Sequence, residues 1–403
     1  MPSKEFNYTL TDILGQVISM DVQNGLKNRG MTRADADERR KAVEELTGAE
    51  LTAVSVYPFE PEDAKSNIEN MIGVIQIPLG YAGPVLMKGD YATGPFLIPL
   101  ATTEGALVAS ISRGMSVLTA AGGVRAKVYS DAMTRAPVFR VKGIDHTTEV
   151  ITWIASHTVE IDEEVSKTTS HGKLMEIETF PNGRSLHLRF SYHTGDAMGM
   201  NMATIATEAV CRLIEKETGA ELVSVSGNMC TDKKPAAINS IRGRGKTVVA
   251  EATIPKDIVE QKLHTDVKSI VETNTRKNLI GSAMAGSLGF NAHAANMIAA
   301  IYLATGQDPA QVVEGSSTMT VCEEVDGDLY ISVRMPSVEV GTVGGGTKLP
   351  SQSEALNIIG CKGAGNALKL SELVAATVLA GELSTLGAQA AGHLGKAHKE
   401  LGR

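Results

Sequence analysis

Residues 278–307 form thirty consecutive positions without Asp, Glu, Lys or Arg. His293 is the one histidine in the run, and the carboxylate of Asp308 ends it. The segment reads NLIGSAMAGSLGFNAHAANMIAAIYLATGQ, rich in Gly, Ala and Ser. Its length admits a membrane span. Asn278, Asn291, His293 and Asn296 would be costly in lipid, however, and the apolar run is broken. A buried central helix fits better, because small residues let neighbouring backbone approach closely. Buried polar groups must be hydrogen-bonded, so Asn291, His293 and Asn296 need partners inside the protein. Such residues more often tie a core together than form a site, and the rest of the chain has to decide between the two.

With 403 residues the chain has room for two or three domains. Hydrophobic residues make up 43 %, enough for a full core. The net charge of -8 comes with no concentrated run of Lys or Arg, which argues against nucleic acid as a partner. Cys211, Cys230, Cys322 and Cys361 lie far apart with no CxxC spacing, so neither a disulfide framework nor a metal site is implied. The opening MPSKEFNYTLTDILG lacks a basic region followed by an apolar run, so no signal peptide is read. A cytoplasmic protein with no membrane association is the expectation.

Residues 1–66 read as a charged helical segment. Thr32 and Asp35 have capping-box spacing, and the helix that follows should stop near Gly48 as a solvated surface helix. Pro58 and Pro61 mark a break. Strand-like runs punctuated by Gly80 and Gly83 come next, then a helix from about Thr103 to Gly122-Gly123. Residues 137–224 differ in style. Apolar and polar residues alternate over 174–180 and 186–190, with Asn182-Gly183 between them, a strong hairpin signal. A Gly-containing loop, 195–199, then feeds a helix with Met202, Ile205, Ala206, Ala209 and Leu213 on its apolar positions. GxGxxG is absent, so this is no Rossmann unit. A glycine loop at a helix N-terminus does present free N–H groups to an anion such as a pyrophosphate; an ordinary turn is the alternative. Residues 225–403 return to the Gly- and Ala-rich style. The fold read from this is α+β: a large domain (67–136 and 225–403) around a buried central helix, interrupted by a small antiparallel-sheet domain (137–224).

Three places can carry chemistry. Asp232-Lys233-Lys234 has uncharged flanks, which puts the cluster at the rim of a pocket, where lysine suits carboxylate binding or a developing oxyanion. Glu104 opens an apolar helix; burial would raise its pKa and make it an acid near neutral pH, while simple helix-dipole stabilisation is the alternative. His393, in AGHLGKAH, would on its own more often be a surface residue.

Together these pieces resemble class I 3-hydroxy-3-methylglutaryl-CoA (HMG-CoA) reductase. The matching segments are ENMIG (69–73), ATTEG (101–105), DAMTRAPV (131–138), GDAMGMNM (195–202), GNMCTDKKPAAIN (227–239), GRGK (243–246), KNLIGSAMAG (277–286), NAHAAN (291–296), GQD (306–308), MPSVEVGTVGGGT (335–347) and AGHL (391–394). They run in the family's order from 69 to 394 without a eukaryote-style membrane anchor, which implies an archaeal or bacterial member. The resemblance implies reduction of HMG-CoA to mevalonate and CoA with NADPH. Lys233 would stabilise the oxyanion, Glu104 would donate a proton to the aldehyde oxygen, Asp308 would tune both, and His393 would protonate the departing CoA thiolate. Asn296 would orient Lys233. Arg135, Ser226, Asp232, Lys234 and Lys277 would hold the hydroxymethylglutaryl group. Asp196, Met198, Gly199, Met200 and Asn201 would line the cofactor site in a small ferredoxin-like domain. Thr169 and Ser170 stand where many members carry an Arg for the 2′-phosphate, so NADP(H) is expected, with NAD(H) open. Members are homodimers or larger, with shared active sites. An NAD-dependent enzyme running towards mevalonate degradation is the alternative. A non-catalytic CoA- or nucleotide-binding protein is a third reading, against which Glu104, Lys233, Asp308 and His393 together count. The tail KAHKELGR has no Ser, Thr or Tyr, so the phosphorylation switch of regulated members is not expected.

Overall fold

The computed structural model describes residues 29–392, which divide into two compact units, one ending at Ile77 and one starting at Pro78. The first unit runs past the break read at 66. Its helix α1 (Arg33–Thr47) has the expected capping box, with Thr32 accepting from the Asp35 amide and Asp35 from that of Thr32, and it closes on a left-handed Gly48. One side of α1 is not solvated, because Ala36 and Arg39 are buried and the Arg39 guanidinium donates to the Met71 carbonyl at 3.0 Å.

In the second unit β1 (Leu79–Lys88) and β2 (Thr93–Ala101) form an antiparallel pair. Helix α2 (Leu107–Ala120) follows, beginning at Leu107 and not near Thr103. An antiparallel sheet then builds up from β3 (Arg125–Arg135), β4 (Val138–Arg140), β5 (Lys173–Asn182), β6 (Ser185–His193), β7 (Glu221–Ser224), β8 (Gly245–Ile254), β9 (Met319–Val325) and β10 (Asp328–Val338). Its order is β7-β4-β6-β3-β8-β10-β9, with β5 on the remaining edge of β6. The Asn182-Gly183 hairpin is present as read, with Gly183 at φ +59° in the β5–β6 turn. Strand β3 is shared. Residues 125–132 pair with β8, and residues 133–135 pair with β6.

Two hydrophobic cores sit on this sheet. One gathers Phe139, Leu186, Phe190, Tyr192 and Val210 within residues 133–220, close to the segment read as inserted. It is covered by Ile144–Ser156, Thr158–Thr168 and α3 (Met200–Thr218). The larger core is built on β1, β2, α2, β8, β10, α4 (Ala294–Thr305) and α5 (Ala367–Ala390).

The charge-free segment is not one helix. It starts in a π-helical stretch (Asn274–Gly281), passes through the single turn Ser282–Met284, bends at Gly286 (φ +68°), and becomes α4 only at Ala294. Residues 283–287 are exposed. Lack of charge does not by itself secure burial: the first half is broken into short pieces that bend at Gly286, and Ile280 and Met284 stay exposed there. The half with Met297, Ile298, Ile301 and Tyr302 is one unbroken helix, and it is inside. Asn291 finds the partners it needs: its amide donates to the carbonyls of Ser316 and Thr318, both at 2.9 Å.

The most deeply buried helix is α5. It is long and apolar enough to cross a membrane, yet 83 % of that stretch is covered by the protein itself. It lies against α2 at Gly114, where a Cβ would fall 1.9 Å from the Ala380 carbonyl oxygen. Its two buried carboxylates are satisfied by loops. Glu372 accepts from the amides of Asp90, Tyr91 and Ala92, and Glu382 from those of Ala292 and His293 and from the Thr320 hydroxyl.

Candidate active site

The loop between β7 and β8 carries Asn228, Thr231 and Lys233 at φ +64°, +50° and +58°. Asn tolerates left-handed backbone, but Thr231 and Lys233 do not readily adopt it, so the surroundings must hold them there. Lys233 Nζ lies 2.9 Å from Asp308 Oδ2, and that hydrogen bond holds the ammonium pKa above its ordinary value. Asp308 follows the left-handed Gly306 that ends α4, and its other oxygen caps the next turn through the Ala310 amide at 3.0 Å. Asp232 meets Arg244 Nη2 at 3.1 Å, the Gln311 amide at 3.2 Å and Arg135 Nη1 at 3.8 Å. Arg135 ends β3, and its Nε is buried without a partner. Lys234 folds back on the Asp232 carbonyl, and Ser226 Oγ lies 3.8 Å from Cys230 Sγ in the same loop.

A second group forms around Glu104. This residue is exposed, contrary to the expectation of burial, because the chain reaches α2 only after a left-handed Ala106. Asn296 donates to Glu104 at 3.3 Å and lies 3.2 Å from His293 Nδ1, whose Nε2 lies 2.6 Å from the Thr385 hydroxyl. These residues, with Ser110 and Arg113, line a cleft of about 440 Å³.

Asn296 sits in the first turn of α4, and Asp308 lies beyond its C-cap. At 1.5 Å per residue, the helix from Asn296 to its end at Thr305 already spans roughly 14 Å. Within this chain Asn296 bonds Glu104, and among the described residues it makes no hydrogen bond to Lys233. Among the described residues no hydrogen bond or ion pair joins Glu104 to Lys233 or Asp308. Lys277 lies in the π-helical stretch and donates to Asn278 Oδ1 at 3.0 Å; burial pulls its pKa down. His393 falls outside the described residues.

The loop expected to meet the cofactor is tightly built. Asp196 accepts from the amides of Gly365 at 2.7 Å and Ala367 at 3.0 Å, tying the loop to the start of α5. Its partial burial pushes its pKa up, but these backbone amides outweigh that and hold it below the usual carboxylate value. Gly199 is left-handed, and a Cβ there would fall 2.3 Å from Thr194. Met198 stays outside the helix, while Met200 and Asn201 open α3. That helix has no side-chain cap and no acidic residue in its first turn, which leaves its N-terminal amides to an anion. Thr169 Oγ1 accepts from the amides of His171 and Gly172, and Ser170 is exposed.

Sequence reading missed the buried centre behind the lysine loop. Asp232, Glu314 and Glu339 bring carboxylate oxygens within 4.8 Å of one another, a spacing that could hold a metal ion. The fully buried Arg244 guanidinium occupies their midst. It bonds Glu339, lies 3.4 Å from Glu314 Oε1 and pairs with Asp232. Burial pushes the Glu339 carboxyl up to about 8 although Arg244 pulls it down, and burial raises Glu314 as well. Arg244 stood within the GRGK motif with no role given to it. Glu314, in VVEGSS, carried no signal.

Comparison with known proteins settles the family. A profile described as "Hydroxymethylglutaryl-coenzyme A reductase" matches residues 35–403. The chain belongs to the hydroxymethylglutaryl-coenzyme A reductase family. It is 55 % identical to the Haloferax volcanii protein named 3-hydroxy-3-methylglutaryl-coenzyme A reductase, over 91 % of this chain and 93 % of that one. It is 54 % identical to the Pyrococcus horikoshii protein of the same name, over 93 % of each. Among solved structures it resembles the class II 3-hydroxy-3-methylglutaryl-CoA reductase of Streptococcus pneumoniae bound to NADPH. That match has a TM-score of 0.68 at 18 % identity, covering 95 % of this chain and 97 % of the other. The α+β architecture described above is thus the HMG-CoA reductase fold.

Proposed function

We propose that this chain is a class I HMG-CoA reductase that reduces 3-hydroxy-3-methylglutaryl-CoA to mevalonate and CoA, consuming two NADPH. The observation that carries the reading is the Lys233–Asp308 pair at 2.9 Å with Arg135, Asp232 and Lys234 around it. A cation held by a carboxylate stands beside further cations that suit an anionic acyl group. Identity above 50 % to the archaeal relatives, against 18 % to a class II structure, supports class I.

When bound, the nicotinamide cofactor supplies hydride. The chain does the rest. The free amides at the start of α3 would hold the pyrophosphate, with Asp196, Met198, Gly199, Met200 and Asn201 forming the loop around it. Ser170, with Thr169 beside it, would face the 2′-phosphate. No carboxylate stands among residues 168–173 to repel that phosphate, which supports NADPH over NADH. Arg135, Ser226, Asp232, Lys234 and Lys277 would hold the hydroxymethylglutaryl group. Lys233 stabilises the oxyanion formed when the thioester carbonyl accepts the first hydride. The carbon–sulfur bond then breaks, CoA leaves as a thiolate that His393 protonates, and an aldehyde remains. The second hydride reduces that aldehyde, with Glu104 giving its oxygen a proton.

Four electrons therefore require two hydrides per thioester. Following the NADPH absorbance against released thiol should give a ratio of two. A ratio of one, with aldehyde as the end product, would sink the assignment.

The separation of the two groups along α4 supports an active site shared between two copies. Glu104 and Asn296 of one chain would face Lys233 and Asp308 of its partner. Inactive Glu104→Gln and Lys233→Ala chains should then complement each other. Random exchange in a two-fold dimer would restore about a quarter of the activity, because each mixed dimer keeps one intact site. No recovery on mixing, with subunit exchange confirmed by mass spectrometry, would place the whole site in one chain. We read the enzyme as cytoplasmic and independent of nucleic acid, with HMG-CoA, mevalonate and CoA as its ligands.

A further inference from the structure

Lys233 is held at two points, and both come from one short piece of chain. Its side chain meets Asp308. Its backbone amide donates to Glu314 Oε1, six positions further along. Between them, Gln311 bonds the neighbouring Asp232. The segment from Asp308 to Glu314 thus grips the lysine at its backbone and at its charged end. The backbone grip matters because Lys233 sits at φ +58°, a conformation that a lysine seldom keeps unaided.

Glu314 is itself fixed. Its side chain is fully buried, and Arg244 reaches Oε1 from behind while bonding Gln311, Glu339 and Asp232. Its other oxygen, Oε2, is buried without a partner. A carboxylate kept inside the protein at that cost must serve more than solubility. The acidic trio is not a vacant cation site, because a guanidinium already fills it.

We propose that Glu314, backed by Arg244, is a positioning residue for Lys233, pinning the lysine amide so that the ammonium meets Asp308 at the place where the oxyanion forms. The proposal rests on the role given to Lys233 above. Glu314 touches neither substrate nor cofactor on this reading, and acts only through the lysine.

The test uses the full-length chain as Glu314→Ala, Glu314→Gln and Glu314→Asp, each also combined with Lys233→Ala. Misplacing the lysine should lower kcat by roughly tenfold to a hundredfold in Glu314→Ala, for thioester and for free mevaldehyde alike. KM for NADPH should stay within about twofold, since the loop before α3 is untouched. Glu314→Gln should recover most of kcat, because its amide oxygen still accepts from the Lys233 N–H. Combined with Lys233→Ala, Glu314→Ala should cost nothing further, as expected of residues that act as a unit. Near-parental kcat in Glu314→Ala, or an undiminished loss on the Lys233→Ala background, overturns the proposal. If Glu314→Ala does not fold, Glu314→Asp takes its place: one methylene too short to reach the amide, it should lose activity that Glu314→Gln keeps, and equal activities overturn the proposal. A fully active Lys233→Ala enzyme would instead overturn the catalytic reading. An inactive Lys233→Ala beside a fully active Glu314→Ala overturns this inference alone.

Discussion

Lys233→Ala is expected to lower turnover by roughly a hundredfold or more, the cost of removing a preorganised donor from a developing oxyanion. The hydrogen bond to Asp308 favours the charged lysine and raises its pKa, so the ammonium is already in place when charge builds on the substrate oxygen. No charge has to move into position during the reaction. Single-turnover rates of thioester and aldehyde reduction should fall together, since both steps pass through an oxygen anion. NADPH binding, followed by fluorescence, should be unchanged, because the Gly199 loop and α3 make no use of this lysine. A guanidinium differs in shape from an ammonium, so Lys233→Arg should rescue little. A Lys233→Ala enzyme within a few-fold of the parent in both single-turnover rates would remove the lysine from the chemistry.

The largest effect on stability should come from Arg244→Met. It leaves the fully buried carboxyls of Glu314 and Glu339 without the guanidinium that faces both, and breaking a buried ion pair from one side typically costs about 3–5 kcal/mol. The loss should depend on pH in a defined direction. Glu339 has a folded pKa near 8, above the ordinary 4.5, so its protonated form contributes stability that is fully present below about 4.5 and lost as pH rises through about 8. Without the guanidinium its carboxylate is harder still to ionise, and the same holds for Glu314. Urea unfolding of parent and variant should therefore show a larger difference at pH 8 than at pH 5. An equal difference at both pH values would mean that Arg244 contributes packing rather than charge.

Much of the fold was legible because turns and alternation leave local marks. The Asn182-Gly183 turn fixes the β5–β6 register wherever the strands are placed, and Thr32 with Asp35 fixes the start of α1. The charge-free run misled for a physical reason: absence of charge permits burial but does not hold apolar side chains on one face. Its first half bends at Gly286 and leaves Ile280 and Met284 exposed. The companion α5 contains Glu372 and Glu382 and is nonetheless the most buried helix, because loop amides satisfy both carboxylates. At the site, uncharged flanks marked Asp232 and Lys233 as a pocket rim and motif resemblance added Asp308; the structure puts Lys233 Nζ 2.9 Å from Asp308. Glu314 and Arg244 could not be read, since seventy positions separate them and what they do depends on a burial that spacing does not encode. Glu104 lines the cleft beside Asn296 as an exposed residue, where burial was the expectation.

The shared strand β3 has a consequence for how the segment 137–224 relates to its host. Its last three residues, Met133, Thr134 and Arg135, hydrogen-bond to Tyr192, Ser191 and Phe190, and Met133 belongs to the smaller core. The insertion is therefore not a cassette that could be excised and carried to another protein at its sequence boundaries. Cut at Pro137, it would leave one edge of β6 with open amides and carbonyls beside Phe190 and Tyr192, an invitation to pair with another chain. The host, for its part, would keep Arg135 but lose the stretch of β6 that its end of β3 pairs with. Shuffling between relatives would have to exchange β3 as well, because the one strand completes two stretches of sheet.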